Sequence, residues 1–427
     1  MKRLLLMPVL ALLILLAALQ EPATAQYDPE RLYQHLQSVY DRNDGDVSGY
    51  LIDELTQFGL IFPDDARAAD ASWLLAKIYL DKNKRHEALA AAFKTLYLYP
   101  RSLHEGECRD IIQNVLAREV VYAPKKGLLE SAVYGTAVDA ATLERWHAYL
   151  NLLKDLDQPR LYDWSLTEAR TFVTRFPGDS LIYPVLEWTG DLYQRLGKIW
   201  EAIYSYRKLE EIFPDHPQLP YALHQQALLL SERAAKHEDA VSRLTRILAH
   251  YPESDFAPTA AYTIGKIKER ELKDYNGAIE AYRKLVAGWP KDERAVEVLL
   301  AIADIQDRRL KQYDLALATY DEIIKDYVSD PRGARALELT GDLYAENLKD
   351  YLNAASSYAR VSKLYTADEK APDLLIKAGD LCAERLKDYR KAIEYYEMVA
   401  NLYPASKKVK EANKRIDKAS KKITDNL

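Results

Sequence analysis

The chain has 427 residues, 48% of them hydrophobic and 29% charged, with 59 Lys plus Arg against 65 Asp plus Glu. A formal charge of −6 excludes a general nucleic-acid binder, which needs a basic footprint. Glycine is scarce at 15 and tyrosine abundant at 31, so we expect tyrosine to serve mainly as packing.

Met1-Lys2-Arg3 is a short positive segment, and Leu4 to Leu19 is almost unbroken apolar sequence. That run falls short of the ~20 residues a spanning helix needs. Ala23-Thr24-Ala25 places small residues where signal peptidase reads, so 1–25 is expected to be a signal peptide cut before Gln26. No cysteine follows the apolar run, which closes the lipid-anchored route. Removing Lys2, Arg3 and Glu21 leaves 57 basic against 64 acidic residues, a charge of −7. The mature chain is expected to be exported to a bacterial periplasm, with no transmembrane segment.

A helical phrase recurs from there on. It has a small or apolar residue, another four places on, then an aromatic and a proline. Leu51, Leu55, Phe62 and Pro63 spell it; so do Ala88, Ala92, Tyr99 and Pro100, and later Ser165, Ala169, Phe176 and Pro177. The long gap between the last two copies has room for one degenerate unit. Helices are expected there around 107–122 and 126–137, with a break at Ala123-Pro124-Lys125-Lys126-Gly127. Another helix is expected near 140–154, followed by a long turn over Asp155–Arg160.

Over 183–404 the phrase becomes regular. Its leading alanines stand at 202, 240, 278, 316, 354 and 392, a period of 38 without an indel. Four copies close on Pro214, Pro252, Pro290 and Pro404, and two carry Val328 and Thr366 instead. Upstream of each alanine lies a second phrase, clearest in Gly190-Asp-Leu-Tyr193, Gly341-Asp-Leu-Tyr344 and Gly379-Asp-Leu-Cys382. Both phrases place apolar residues three and four apart, as on one helix face. The turn between them, as in Lys349-Asp350-Tyr351, offers an aspartate to cap the second helix. The prolines end that helix by removing a backbone donor. Each unit is then a helical hairpin that can bury its apolar face only against its neighbours.

This resembles the tetratricopeptide repeat: small residue in the first helix, Ala-x3-aromatic in the second, closing proline. The family unit has about 34 residues. The extra residues fall mostly between the proline and the next small residue, as in Pro252 to Gly265. That longer spelling looks like the periplasmic branch, which includes the Tol–Pal-associated coordinators and the β-barrel assembly lipoproteins. The resemblance implies an all-α, right-handed α-solenoid of about ten hairpins. The expected organisation is signal 1–25, degenerate repeats 26–182, regular repeats 183–404 and a basic cap 405–427. In the cap, Val409, Ala412, Ile416, Ala419 and Ile423 form an apolar stripe. Its other face carries Lys407, Lys408, Lys410, Lys414, Arg415, Lys418, Lys421 and Lys422, against Glu411, Asp417 and Asp425. Such a face is solvated, or is a patch for anionic headgroups or an acidic partner.

No catalytic motif stands out. There is no phosphate loop, G-x-S-x-G, H-E-x-x-H or Cys-x-x-Cys, so no enzyme activity, cofactor or metal is expected. Cys108 and Cys382 lie too many units apart to pair, so both are expected to be free thiols. What remains is a surface. The resemblance implies that the residue after the first-helix glycine, and those three and four beyond, line a concave groove. Here these are Asp191, Gln194, Arg195, Lys266, Glu269, Arg270, Asp304, Asp307, Arg308, Asp342, Glu346, Asp380 and Glu384. The family's clamp for a peptide C-terminus uses Lys and Asn at such sites; mostly Asp stands here, so that ligand class is not expected. An acidic ladder suits a basic segment of an envelope protein. The expected function is a non-enzymatic interaction scaffold of the bacterial envelope. The alternatives are a helical accessory subunit of an envelope enzyme or a polysaccharide-export or glycan-processing complex, or a homo-oligomeric structural protein.

Overall fold

The computed structural model describes residues 28–42, 46–135 and 139–425; the expected signal segment 1–25 lies outside them. Among the described residues the fold is all-α, with 21 α-helices and no strand. In chain order they form ten pairs: Pro29–Arg42 with Ser48–Ile61, Arg67–Asp81 with Arg85–Leu98, Glu105–Arg118 with Lys126–Tyr134, Thr142–Leu156 with Tyr162–Arg175, and Ile182–Arg195 with Ile199–Ile212. The pairs continue as Leu219–Glu232 with His237–His250, Phe256–Arg270 with Tyr275–Gly288, Ala295–Asp304 with Tyr313–Asp326, Gly333–Leu343 with Tyr351–Leu364, and Ala371–Leu381 with Tyr389–Leu402. Val409–Asp425 follows as a single helix. The chain divides into two units at Ser205/Tyr206, inside the helix Ile199–Ile212, and each is described by itself.

In the C-terminal unit every helix from Leu219 on packs on the next in sequence. Its core repeats with the alanines: Ala240, Ala278, Ala316, Ala354 and Ala392 are fully buried. So are Tyr282, Tyr320, Tyr358 and Tyr396, four residues further on. The small residue of the first helix exists to admit that tyrosine. A Cβ built on Gly265, Gly341 or Gly379 would lie 2.3–2.4 Å from Cε1 of Tyr282, Tyr358 or Tyr396, closer than carbon atoms approach. The deep seat also brings each hydroxyl onto a carboxylate of the first helix. Tyr282 donates to Glu269 at 2.7 Å, Tyr358 to Asp342 at 2.7 Å and Tyr396 to Asp380 at 2.8 Å. In the unit of Tyr320, Ala303 holds the place of the glycine, and Asp304 pairs with Arg308 at 3.1 Å.

The expected caps are present. Asp274, Asp350 and Asp388 accept from the backbone N–H of Gly277, Asn353 and Lys391 at 2.9, 3.1 and 2.9 Å, each worth about 1 kcal/mol of helix stability. One of the extra residues of the 38-residue unit sits in this turn. Lys84 and Lys198 close their turns onto carbonyls five residues back, Tyr79 and Tyr193, whereas Asp350 and Asp388 reach six back, to Tyr344 and Cys382. The added residue winds the last turn of the first helix as π-helix over Ile305–Arg309, Tyr344–Leu348 and Cys382–Leu386. The turn that follows contains a left-handed residue: Lys273, Lys311, Lys349 and Lys387 have φ of 56–58°. Lysine there costs about 1 kcal/mol or more relative to glycine.

Proline is not what ends the second helix. Tyr313–Asp326 and Tyr351–Leu364, which lack it, run 14 residues like their neighbours. The aromatic leaves the helix in all of them: Tyr251, Trp289, Tyr327, Tyr365 and Tyr403 have φ near −130° and ψ near 50° (about, by the usual scatter). Each of their carbonyls then accepts from the N–H three residues on. That third residue is Ser254, Asp292, Asp330, Asp368 or Ser406, and its side chain accepts from the N–H two further on, at 2.9–3.2 Å. These side-chain turns start every following helix. They are a periodic signal that the helix-phrase reading passed over.

The N-terminal unit breaks the pattern. The helix expected near 107–122 runs Glu105–Arg118. The expected break over 123–127 is occupied by a 3₁₀ segment, Val120–Lys125, running straight into Lys126–Tyr134. Thr142–Leu156 then packs mainly on Arg85–Leu98, two pairs back, instead of on Lys126–Tyr134. Arg85–Leu98 can accept two layers because its middle is apolar on every side: Ala88 through Phe93 are all buried. Tyr149 donates to the Ala90 carbonyl at 3.0 Å, and Lys125 donates to the Asp155 carbonyl at 2.8 Å. Further round, Arg175 pairs with Asp64, joining the fourth pair to the first. Stacking strictly on the sequence neighbour, expected throughout, therefore holds from Leu219 on and not in this unit.

Candidate functional site

In the C-terminal unit the ladder residues fall on the first helices of successive pairs, but most are engaged internally. Asp342 accepts from Tyr358 and from Lys377 of the following pair, at 2.7 and 2.5 Å, and Lys377 lies 4.4 Å over the Tyr358 ring. Asp380 accepts from Tyr396 and from Arg415 of the terminal helix, which donates through two nitrogens at 2.8 and 3.1 Å. Arg415 also donates to Glu411 at 2.6 Å. Each aspartate is a junction between its own tyrosine and the next layer's cation. Among the others, Lys266 lies 5.1 Å over the Tyr262 ring, and burial lifts the Asp307 carboxyl above its ordinary range. Arg270, Glu346 and Glu384 are exposed. Among the described residues Glu346 and Glu384 make no hydrogen bond or ion pair. On the cap, Lys408 pairs with Asp373 at 2.5 Å, while Lys410, Lys414, Lys418, Lys421 and Lys422 stand on or near the surface.

In the N-terminal unit Arg195 pairs with Asp157 and donates to the Tyr162 hydroxyl at 3.0 Å. Asp191 acts on its neighbour Glu187. Burial lifts the Glu187 carboxyl to about 7 from an ordinary 4.5, Asp191 adds repulsion and Lys154 partly opposes it. Between those values the folded chain keeps a proton that the unfolded chain releases, so the contribution of Glu187 to stability is full below about pH 4.5 and is lost as pH rises to about 7. Glu187→Gln is expected to flatten that fall, by on the order of 1 kcal/mol after solvent screening. Urea midpoints compared on either side of the window read it directly, and an unchanged slope in the variant overturns it.

The N-terminal unit also holds a feature with no counterpart in the ladder. A cleft of about 680 Å³ opens between Ser48–Ile61, Arg67–Asp81, Arg85–Leu98 and Tyr162–Arg175. Three of these four are second helices of their pairs, brought together by the displaced fourth pair. Inside it Lys94 and Glu168 form an ion pair at 2.6 Å, their side chains 13% and 5% exposed. Glu168 Oε1 takes that bond, and Oε2 has no hydrogen-bond partner. The Trp164 indole is fixed by donating to the Tyr149 hydroxyl at 2.7 Å and stands edge-on to Tyr79, ring centres 6.0 Å apart. Asp53, Glu87, Asp163 and Arg160 also border the cleft. The sequence showed no sign of it, because its walls come from phrases more than 100 residues apart.

The two cysteines are buried and free. Burial pushes the Cys108 thiol up to about 12 and the Cys382 thiol to about 11, so neither is a thiolate nucleophile at neutral pH. Among the described residues no group of three or more His, Cys, Asp or Glu is placed to hold a metal, and no helix is long and apolar enough to cross a membrane.

Residues 300–372 match one tetratricopeptide-repeat model, and residues 221–254 and 373–406 match a second. The matched stretches lie in the regular C-terminal unit. Among solved structures, a tetratricopeptide repeat protein from Parabacteroides merdae is 19% identical, covering 65% of this chain and 98% of that one, with a TM-score of 0.35. PilF of Pseudomonas aeruginosa is 20% identical over 55% of this chain and 98% of its own, with a TM-score of 0.33. BtubC from P. vanneervenii is 18% identical over 53% and 92%, with a TM-score of 0.34. No curated protein matches the chain.

Proposed function

We propose that this chain is a non-enzymatic protein–protein interaction scaffold of the bacterial cell envelope. The observation that carries the reading is the in-register stack of tetratricopeptide hairpins from Leu219 on, closed by a polar helix. Such stacks hold other proteins on surfaces wider than one hairpin can offer. The positive segment, apolar run and Ala-Thr-Ala of 1–25 support export with cleavage after Ala25. The exposed Glu346 and Glu384, in register on successive first helices, support contact with a partner bearing basic residues.

Two measurements test this. Mass spectrometry of the chain expressed with its full N-terminus should find Gln26 as the first residue, in the periplasmic fraction; an intact Met1 in the cytosol overturns the envelope assignment. Crosslinking from envelope extract should return one reproducible partner, and Glu346→Lys with Glu384→Lys should weaken its capture while the helical circular dichroism holds. Asp342 and Asp380 are unsuitable for that purpose, since reversing them breaks the tyrosine and cation junctions of the core. Absence of any reproducible partner overturns the scaffold reading.

A further inference from the structure

The geometry points to a second binding site in this protein: the cleft of the N-terminal unit receives a lysine or arginine side chain carried by an extended segment of another polypeptide. This rests on the scaffold reading and deepens it, by naming a site and a side chain that the repeat pattern does not supply.

Three independent observations converge there. The first is shape. A cleft of about 680 Å³ is bounded by helices from the first, second and fourth pairs, and the Arg175–Asp64 pair ties the fourth pair to the first. The second is charge. Asp53, Glu87, Asp163 and Glu168 border the cleft against Lys94 and Arg160. Two of the four acids are answered from within the protein: Glu168 by Lys94 at 2.6 Å, and Asp163 by Lys198 at 3.3 Å. Asp53 and Glu87 make no hydrogen bond or ion pair among the described residues. Glu168 itself, 4% exposed, keeps an oxygen with no partner, and the four acids outnumber the two cations, Lys94 and Arg160, that border the cleft. The third is the wall. Trp164 and Tyr79 meet edge to face at 6.0 Å, and Trp164 is held in place through Tyr149 to the Ala90 carbonyl. A fixed aromatic surface beside unanswered carboxylates suits a long apolar stem that ends in a cation, because the stem is buried on the rings while the charge meets the acids. An aliphatic side chain would leave the carboxylates unmet, and an acidic one would be repelled.

The test uses the full mature chain and a fluorescein-labelled hexalysine amide, followed by anisotropy near physiological ionic strength. The wild type is expected to bind it saturably. Asp53→Asn with Glu87→Gln, both bordering the cleft and outside the core, should weaken binding about tenfold, the effect of two screened ion pairs. Side-chain-acetylated hexalysine should not bind, and Glu238→Gln with Asp239→Asn, exposed acids of the helix His237–His250 that belong to neither proposed surface, should leave hexalysine affinity unchanged. No binding by the wild type, or equal binding by the Asp53/Glu87 variant, overturns the cleft as the site. Partner crosslinking that survives the Asp53/Glu87 variant removes the cleft from the scaffold and leaves the scaffold reading standing, so the two failures are distinguishable.

Discussion

Replacing Lys94 by methionine is expected to destabilise the N-terminal unit by about 3–5 kcal/mol. Among the described residues Lys94 is the sole partner of a carboxylate whose side chain is only 5% exposed, and the second oxygen of Glu168 is already without a partner. Removing the ammonium leaves a buried charge with nothing to offset its lost hydration, and that penalty exceeds what the pair itself contributes. The double variant Lys94→Met, Glu168→Met removes both charges and keeps the apolar volume. It should recover most of the loss. Hydrogen exchange of the Arg85–Leu98 amides is the measurement, since that helix is the centre of the unit and its slowest amides report opening of the whole. A single variant within about 1 kcal/mol of wild type, or a double variant worse than the single, would show that the pair is not the buried device described above.

The second large effect is expected at Gly341. Alanine there puts a Cβ 2.4 Å from Tyr358 Cε1 and 2.6 Å from Cδ1, so the ring must back out. The Tyr358 hydroxyl then loses Asp342, and Lys377 loses half of the junction it makes with both. Overpacking of this kind costs about 1–3 kcal/mol, against which alanine's better helix propensity returns at most about 1. Gly59 supplies the control. It lies in the helix Ser48–Ile61, and a Cβ built on it meets nothing within 4 Å. Gly59→Ala should stabilise slightly while Gly341→Ala destabilises, as read by urea midpoints. Opposite signs are the prediction; two stabilising results would refute the close approach. The pair Ala303 and Tyr320 shows how the fold tolerates the extra methyl: the ring is still buried, but Asp304 turns to Arg308.

The regular part of the fold was legible because its signals are local and repeated. The alanine every 38 residues, the aromatic four places later and the capping aspartates each act within one or two turns of chain, and the structure places them as expected. The glycine in the first helix was readable as a site of close approach. That it seats a tyrosine onto a carboxylate was not, since the two residues are 13 or 16 positions apart and the bond needs both helices in place. The ladder shows the same limit. Its spacing put Asp342 and Asp380 on one stripe, and only the packed structure shows both bound by Lys377 and Arg415, 35 residues on. The division of labour between proline and aromatic at the helix ends was also misjudged. Tyr327 and Tyr365 leave the helix without proline, because the ring's burial between pairs and the side-chain turn three residues later suffice.

By itself the sequence determined the class of fold, the number of hairpins, their register and which residues face inward, since helix period, capping and small-to-large matching are properties of short stretches. The tertiary structure alone decided where the N-terminal unit departs from stacking, and with it the cleft. The middle of Arg85–Leu98 is apolar on every side, so the chain could bury it against more than one neighbour. Which neighbour wins depends on the summed contacts of helices far apart in sequence, and no short stretch carries that sum.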